Sequence, residues 1–315
     1  MKTIFGIVVL IFFTCNLGYT EPVTIKKTKW HHMDIKEHFE IVDKNVRAGK
    51  SAQKFEIRHG ECKKQDCKWG AQRTERHLKK LHYSSKKFKE PVFYALSIYI
   101  PEDFGYDFVA SKMSLFQAKM KGVDMPLWMV STQGSGFQVR LGHYKRCLGF
   151  SFKKGSWNDF IVKTNYSRER IKGEKFFELC WNGEQINECT HYIPFVKSKH
   201  IKESKSHGWS SNKQQINMRY GIYKFRVGDY LSQINRNKPK GMKTMTQPSG
   251  KKNIIKPFKY KWENKIPTTV MLFDEVRFGK SYDEVDINKN LSLIHISEPT
   301  RLRRISYAGF FLKKK

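Results

Sequence analysis

The chain has 315 residues, with 60 Lys or Arg against 29 Asp or Glu, a formal net charge of +31 at neutral pH. That length allows one or two domains, and the cationic excess calls for an anionic partner or surface. No apolar run is long enough to cross a bilayer as a helix, which excludes a helical membrane protein.

Residues 1–20 read as a secretory signal. Lys2 is the basic start, Ile4 to Phe13 the short apolar stretch, and Thr14, Asn16, Gly18 and Thr20 the small and polar exit. Cys15 resembles a lipoprotein cysteine only weakly, because Phe12-Phe13-Thr14 lacks the small residues such a site needs. At the other end, LSLIHISEPTR within residues 291–315 resembles the translation of a DNA sequencing adapter, so the protein proper is expected to end or diverge near Asn290. Leaving out Lys2 and the net +5 of that tail still leaves +25.

Nucleic acid and acidic polysaccharide are the two anionic partners that such a charge suggests. No helix-turn-helix, zinc finger or RNA-binding signature supports the first, and a secreted protein favours the second. The expected partner is therefore an acidic polysaccharide, with no nucleic acid, no membrane after signal cleavage, and a monomeric state.

Along the chain, residues 21–53 form a mixed basic arm leading into the first strands. In Lys54 to Arg76, Phe55 and Ile57 alternate with Glu56 and Arg58, then Cys62 and Cys67 bracket a polar loop before the charged run holding Arg73, Glu75 and Arg76. Arg73 to Leu81 is one weak helix candidate. Val92 to Pro101 is the clearest strand, rich in aromatic and β-branched residues. Further strands are read at Lys112 to Lys121, Leu127 to Thr132, Phe137 to Tyr144 and Trp157 to Asn165. Phe176 to Asn182 and Gln185 to Cys189 pair about the Asn182-Gly183 turn. The last two strands are Asn217 to Arg226 and Val270 to Phe278. Residues 232–260 read as an exposed loop. Many short strands with turn signals between them predict an all-β sandwich in a single domain over roughly 30–285.

In a secreted chain, Cys62 with Cys67 and Cys180 with Cys189 are expected as disulfides, leaving Cys147 buried. The competing zinc reading fits poorly, since C-x4-C and C-x8-C lack a matched histidine pair. Asn165-Tyr166-Ser167 fits a glycosylation acceptor.

Several stretches together carry a family likeness. SIYIPEDF (Ser97 to Phe104), FEIRHGEC with the following DC and RTER, WNDFIVKTNYS, CWNGEQI, YGIYKF and FDEVRFG follow one another in an order that resembles the jelly-roll polysaccharide lyases of the heparin lyase, glucuronan lyase and alginate lyase type. The resemblance runs from Lys54 to Gly279. It implies a β-jelly roll of the concanavalin A-like sandwich type over residues 54–290, cleaving an acidic glycan by β-elimination.

That reaction must neutralise a uronate carboxylate, remove the C5 proton and protonate the leaving O4. The resemblance assigns carboxylate binding to Arg73, whose guanidinium can hold two oxygens, with Gln117 as a further donor. Tyr223 matches the family's tyrosine and is the expected acid, and a candidate for base as well. Where the family carries Gln-x-His, this chain has Gln117-Ala118-Lys119, so Lys119 becomes the candidate base, a role that requires its pKa to be lowered. His143 is the nearest other imidazole in sequence. Glu75, Arg76, Arg140 and Arg219 are the expected substrate-binding side chains, with Arg219 four residues before Tyr223 on the same strand face. No cofactor is required, although Asp274 allows for a structural calcium. The alternative to a lyase is a glycan-binding jelly roll that has lost its base.

Overall fold

The computed structural model describes residues 22, 28–78, 90–104, 113–133, 136–142, 145–194, 196–206, 215–225, 227 and 267–289. The signal segment, the C-terminal tail, the exposed loop over 232–260 and His143 lie outside the described residues.

The strands run in chain order as β1 (Thr28–Trp30), β2 (Glu40–Val42), β3 (Ala52–Ile57), β4 (Gln72–Leu78), β5 (Val92–Ile100), β6 (Met113–Met120) and β7 (Trp128–Gln133). They continue as β8 (Gly136–Leu141), β9 (Lys145–Ser151), β10 (Ser156–Thr164), β11 (Phe177–Trp181), β12 (Glu184–Gln185), β13 (Ile216–Lys224) and β14 (Thr269–Gly279). The helices include α1 (Gln65–Trp69), α2 (Ser198–Ser206) and α3 (Tyr282–Val285). The strands form two seven-stranded antiparallel sheets, ordered β1-β4-β13-β6-β7-β8-β9 (sheet A) and β12-β11-β10-β5-β14-β3-β2 (sheet B). This is a β-jelly roll.

The strand period of two decides which residues meet between the sheets. On β6, Phe116, Ala118 and Met120 turn inward and pack with Tyr94, Leu96 and Ile98 of β5 in one continuous core. Trp128 stands at its centre, 4.9 Å from the Phe116 ring centroid and 5.8 Å from that of Phe177. Burying an indole there requires a partner for its N–H, which donates to the Tyr166 hydroxyl at 2.9 Å. Full burial of Phe116, Phe137 and Phe160 contributes roughly 1.5–3 kcal/mol each.

The strongest strand predictions hold: β5, β10 and β14 lie within one residue or so of their expected limits. The Asn182-Gly183 turn is also present, with φ 49° and 85° at the two residues, as a type I′ turn needs. Three expectations are corrected. The helix read over Arg73 to Leu81 is strand β4 as far as Leu78, since its charged residues pair with both neighbouring strands. Cys62 and Cys67 form a disulfide, but Cys180 and Cys189 are not joined. Cys180 sits on the outer side of sheet B, 3.5 Å from the Tyr282 hydroxyl, whereas Cys189 belongs to the core, so the two thiols lie on opposite sides of the sheet. Asn165 is 1% exposed, and its Oδ1 accepts from the Ser167 N–H at 2.8 Å, which leaves no exposed glycosylation acceptor there. The expected first strands within residues 21–53 are β1, which closes sheet A against β4, and β2, which closes sheet B against β3.

Candidate active site

The charged run that begins at Gln72 alternates on β4: Arg73, Glu75 and His77 point away from the core, and Arg76 points the other way. Arg76 was expected to bind substrate. Instead its guanidinium lies 4.7 Å from the Trp30 ring centroid and 5.1 Å from that of Phe39, and its Nε donates to Thr28 Oγ1 at 2.5 Å. The alternation that exposes Arg73 directs Arg76 inward.

Strand β13 pairs with β4 and with β6, and its register assembles the site. Arg219 stands opposite both His77 and Gln117, Asn217 opposite Lys119, and Tyr223 opposite Arg73 and Ser114. Gly221 lies between Arg219 and Tyr223, opposite Glu75. Its φ is +128°, and a Cβ there would come 2.3 Å from the Thr74 carbonyl oxygen, so only glycine fits. No side chain therefore rises between Arg219 and Tyr223. Beyond β6 the same row continues through Met129 to Arg140. Arg140 is three strands from Arg219, about 14 Å at the spacing of neighbouring strands, and its Nε donates to the Gly142 carbonyl at 3.3 Å.

Hydrogen bonds lock part of this group. Arg73 gives Nε and Nη2 to the two oxygens of Asp66 at 2.5 and 2.8 Å, and its Nη1 lies 3.7 Å from Glu75 Oε2. Its guanidinium carbon rests 4.0 Å from the Tyr223 ring centroid. The nitrogens expected to hold a substrate carboxylate are thus largely engaged by Asp66. Gln117 Nε2 donates to Glu75 Oε1 at 2.6 Å.

Other buried atoms of the group have no hydrogen-bond partner: Glu75 Oε2, His77 Nε2, Ser114 Oγ, Asn217 Oδ1 and Arg219 Nε. An unsatisfied buried polar atom costs about 1–3 kcal/mol. Such a concentration on three adjacent strands makes this face the candidate site.

Sequence reasoning missed four of the residues here. Asp66 is fully buried. His77 is also buried, and the His31 ring stacks on it at 5.5 Å with 15° between the planes. Asp34 accepts from the backbone N–H of His31 at 2.5 Å and from that of Glu75 at 3.2 Å, tying the segment after β1 to β4. No local motif signals these residues, because each reaches the site through strand pairing or a loop closure.

The cations and the burial shape the titration of the group. Burial, then the charges of Arg219 and Arg73, lower the pKa of Lys119 to about 8. Burial raises that of Tyr223 to about 12, against the pull of Arg73. Burial and Arg219 push His77 well below the usual histidine value, and the same two causes bring His31 to about 3. Asp34 is raised to about 7 by burial and by Glu75. Among the described residues, no group of three His, Cys, Asp or Glu side chains stands close enough to hold a metal. The Asp274 carboxylate, considered for calcium, accepts backbone N–H groups from Arg47, Ala48 and Glu275 at 3.0, 3.3 and 2.8 Å.

Tyr223, Arg219, Gln117 and Lys119 all stand on the outward face of sheet A. The polysaccharide lyase family model matches residues 21–277, and the chain belongs to that family. It is a polysaccharide lyase by that membership. Among solved structures, it is similar to an endo-β-1,4-glucuronan lyase from the fungus Trichoderma reesei, with 14% identity, 86% of this chain and 94% of that one covered, and a TM-score of 0.49. A mutant of alginate lyase Aly36B in complex with an alginate trisaccharide matches at 8% identity, covering 79% of this chain and 87% of that one, with a TM-score of 0.41. Cellulose induced protein Cip1 matches at 8% identity, 78% and 93% coverage and a TM-score of 0.39. Comparison with curated proteins by sequence finds no match.

Proposed function

We propose that the protein is a secreted enzyme that cleaves a uronate-containing acidic polysaccharide by β-elimination on the open face of sheet A. The observation that carries this reading is the row Arg219, Gly221, Tyr223 with Gln117 and Lys119 beside it on the same face. A sugar ring lies over Gly221. Its carboxylate meets Arg219 and Gln117, which offset the negative charge that develops on loss of the C5 proton. Arg219, and not Arg73, takes this task, because Arg73 spends two nitrogens on Asp66.

Lys119 and Tyr223 divide the proton transfers. A group lowered to about 8 and one raised to about 12 form an acid–base pair near neutral pH. The neutral amine of Lys119 takes the C5 proton. The electrons of the C5–H bond form the C4=C5 double bond, the C4–O4 bond breaks, and the Tyr223 hydroxyl protonates O4. Lys119 then releases its proton to solvent, and Tyr223 regains one. The register places Lys119 six residues along β13 from Tyr223, about 20 Å of strand. The C5 proton and O4 are held on neighbouring carbons, so the two long side chains extend towards each other along the sheet to reach them.

One observation favours a second base. His77 lies opposite Arg219, and its Nε2 has no hydrogen-bond partner. The support for secretion is the basic and apolar pattern of residues 1–20.

The test is incubation with a panel of uronate polysaccharides while following the ultraviolet absorbance of the C4=C5 bond. The expected result is a rise with at least one glycan, lost in Tyr223→Phe. No rise with any glycan, alongside salt-sensitive retention on the same glycans, would establish a binding protein instead. Loss of activity in His77→Ala with activity kept in Lys119→Ala would move the base to His77.

A further inference from the structure

We infer that the disulfide-closed loop from Cys62 to Cys67 is a positioning device for Tyr223: it carries Asp66, which fixes the guanidinium of Arg73 beneath the Tyr223 ring. The inference rests on Tyr223 acting in the elimination as proposed above.

An aspartate between two lysine-rich stretches of a polar loop (KKQDCK) is expected to be solvated. Here it is fully buried, and each of its oxygens takes one nitrogen of Arg73. A two-point fork of this kind fixes the guanidinium plane as well as its position. The remaining nitrogen faces Glu75 Oε2 at 3.7 Å, an ion-pair approach without a hydrogen bond, so the Asp66 fork alone fixes the plane. The Tyr223 ring lies over that plane at 4.0 Å. The phenol thus rests on a guanidinium whose Nε and Nη2 are both taken by Asp66.

Asp66 is itself held by the loop. It sits in α1, and a five-residue helix has no stability of its own. The segment enters through Lys64 at φ 51° and leaves through Gly70 at φ 65°, and the Ala71 N–H closes onto the Asp66 carbonyl at 2.9 Å. The bond between Cys62 and Cys67 ties the first residue of this loop to the middle of α1. Support therefore runs from the disulfide to α1, to Asp66, to Arg73 and to Tyr223. A buried ion pair is no better for stability than a well-packed apolar pair. What it adds at this place is a fixed orientation.

Three preparations test the inference: Asp66→Asn, the double variant Cys62→Ser/Cys67→Ser, and wild type reduced with dithiothreitol. Each is assayed for kcat, KM and Tm well below its melting point. The expected result is a kcat about tenfold to a hundredfold lower, as for a misplaced catalytic group, with KM changed less than about twofold. Reoxidation restores the reduced sample. The Cys62→Ser/Cys67→Ser protein keeps both charges of the ion pair, so it carries the test if Asp66→Asn fails to fold. A wild-type kcat with only a lower Tm in the folded variants means that the loop is merely structural, and overturns the inference. An inactive wild type overturns the elimination reading and this inference with it. An active wild type with unaffected variants overturns this inference alone.

Discussion

The two sheets differ in how far their outward charges are satisfied, although sheet A also holds one closed pair, Arg73 with Asp66. On sheet B the charges close on one another. Lys163 and Lys175 both meet Glu178 at 2.8 Å, Lys54 reaches Glu40 and Glu56 at 3.1 Å each, and Arg47 grips Asp159, whose Oδ1 also accepts from Ser97 Oγ at 2.6 Å. On sheet A, Glu75, His77 and Arg219 are packed together with one buried atom each left without a hydrogen-bond partner. Charge alone does not distinguish the faces, since both carry Lys, Arg and Glu. Satisfaction does. A closed ion pair describes how a surface holds itself together, and an open one describes what the surface is waiting to bind.

The contrast breaks most completely at Tyr223. If the open face is catalytic, Tyr223→Phe removes the acid but leaves the ring over Arg73, and kcat falls by about a thousandfold or more while retention on an acidic-glycan column stays close to wild type. Equal loss of retention and turnover would make Tyr223 a binding residue. Next comes Arg219→Ala. Removing a donor aimed at developing charge costs about 10²–10³ in kcat, and the readout is steady-state turnover on the glycan that wild type cleaves best.

Lys119 sharpens the comparison through pH. As base it must be neutral, so kcat/KM should rise as pH climbs through about 8 and then level off, because Tyr223 keeps its proton to about 12. Lys119→Met is expected to lose about a hundredfold and the rising limb together. A profile already flat between pH 6 and roughly 9 would remove Lys119 from the proton transfer.

Strands whose own residues carry the signal were legible in the sequence. Val92 to Ile100 is mostly aromatic and β-branched, and Asn182-Gly183 has the chemistry of its turn. Helix α2 was not legible, because SKHIKESKS shows no apolar stripe. Neither was strand β1, three residues long and strand-like only because Leu78, His77 and Arg76 offer it an edge. The site divides along the same line. The likeness pointed to Tyr223, Gln117 and Arg219, and strand pairing brings all three onto one face of sheet A. Asp66 and His77 could not, since a loop aspartate and a histidine after Arg-Thr-Glu-Arg look like solvated residues until strand pairing buries them. Cys180 and Cys189 mislead for the converse reason: nearness in sequence says nothing about which side of a sheet each thiol faces.

Gly221 tests the floor of the open face through stability. With φ at +128° and the Thr74 carbonyl 2.3 Å from any added Cβ, Gly221→Ala forces the β4 and β13 backbones apart. A loss of about 3 kcal/mol or more is expected, measured by urea unfolding. A loss under about 1 kcal/mol would mean that the strands can shift, and that the spacing between Arg219 and Tyr223 is not fixed by this residue.

The smallest expected effect belongs to the closed face. Lys163 is partly exposed, and its partner Glu178 keeps a second lysine, Lys175, when the first is removed. Lys163→Ala should therefore change stability by no more than about 0.5 kcal/mol and leave turnover unaltered, even though it removes a positive charge just as Arg219→Ala does. The pair of variants separates two explanations of the net charge. If general attraction of a polyanion drives catalysis, both substitutions lower kcat/KM in proportion to the charge lost, and added salt lowers the wild type in the same way. If the arrangement on sheet A drives it, Arg219→Ala fails at every salt concentration, and Lys163→Ala follows wild type throughout.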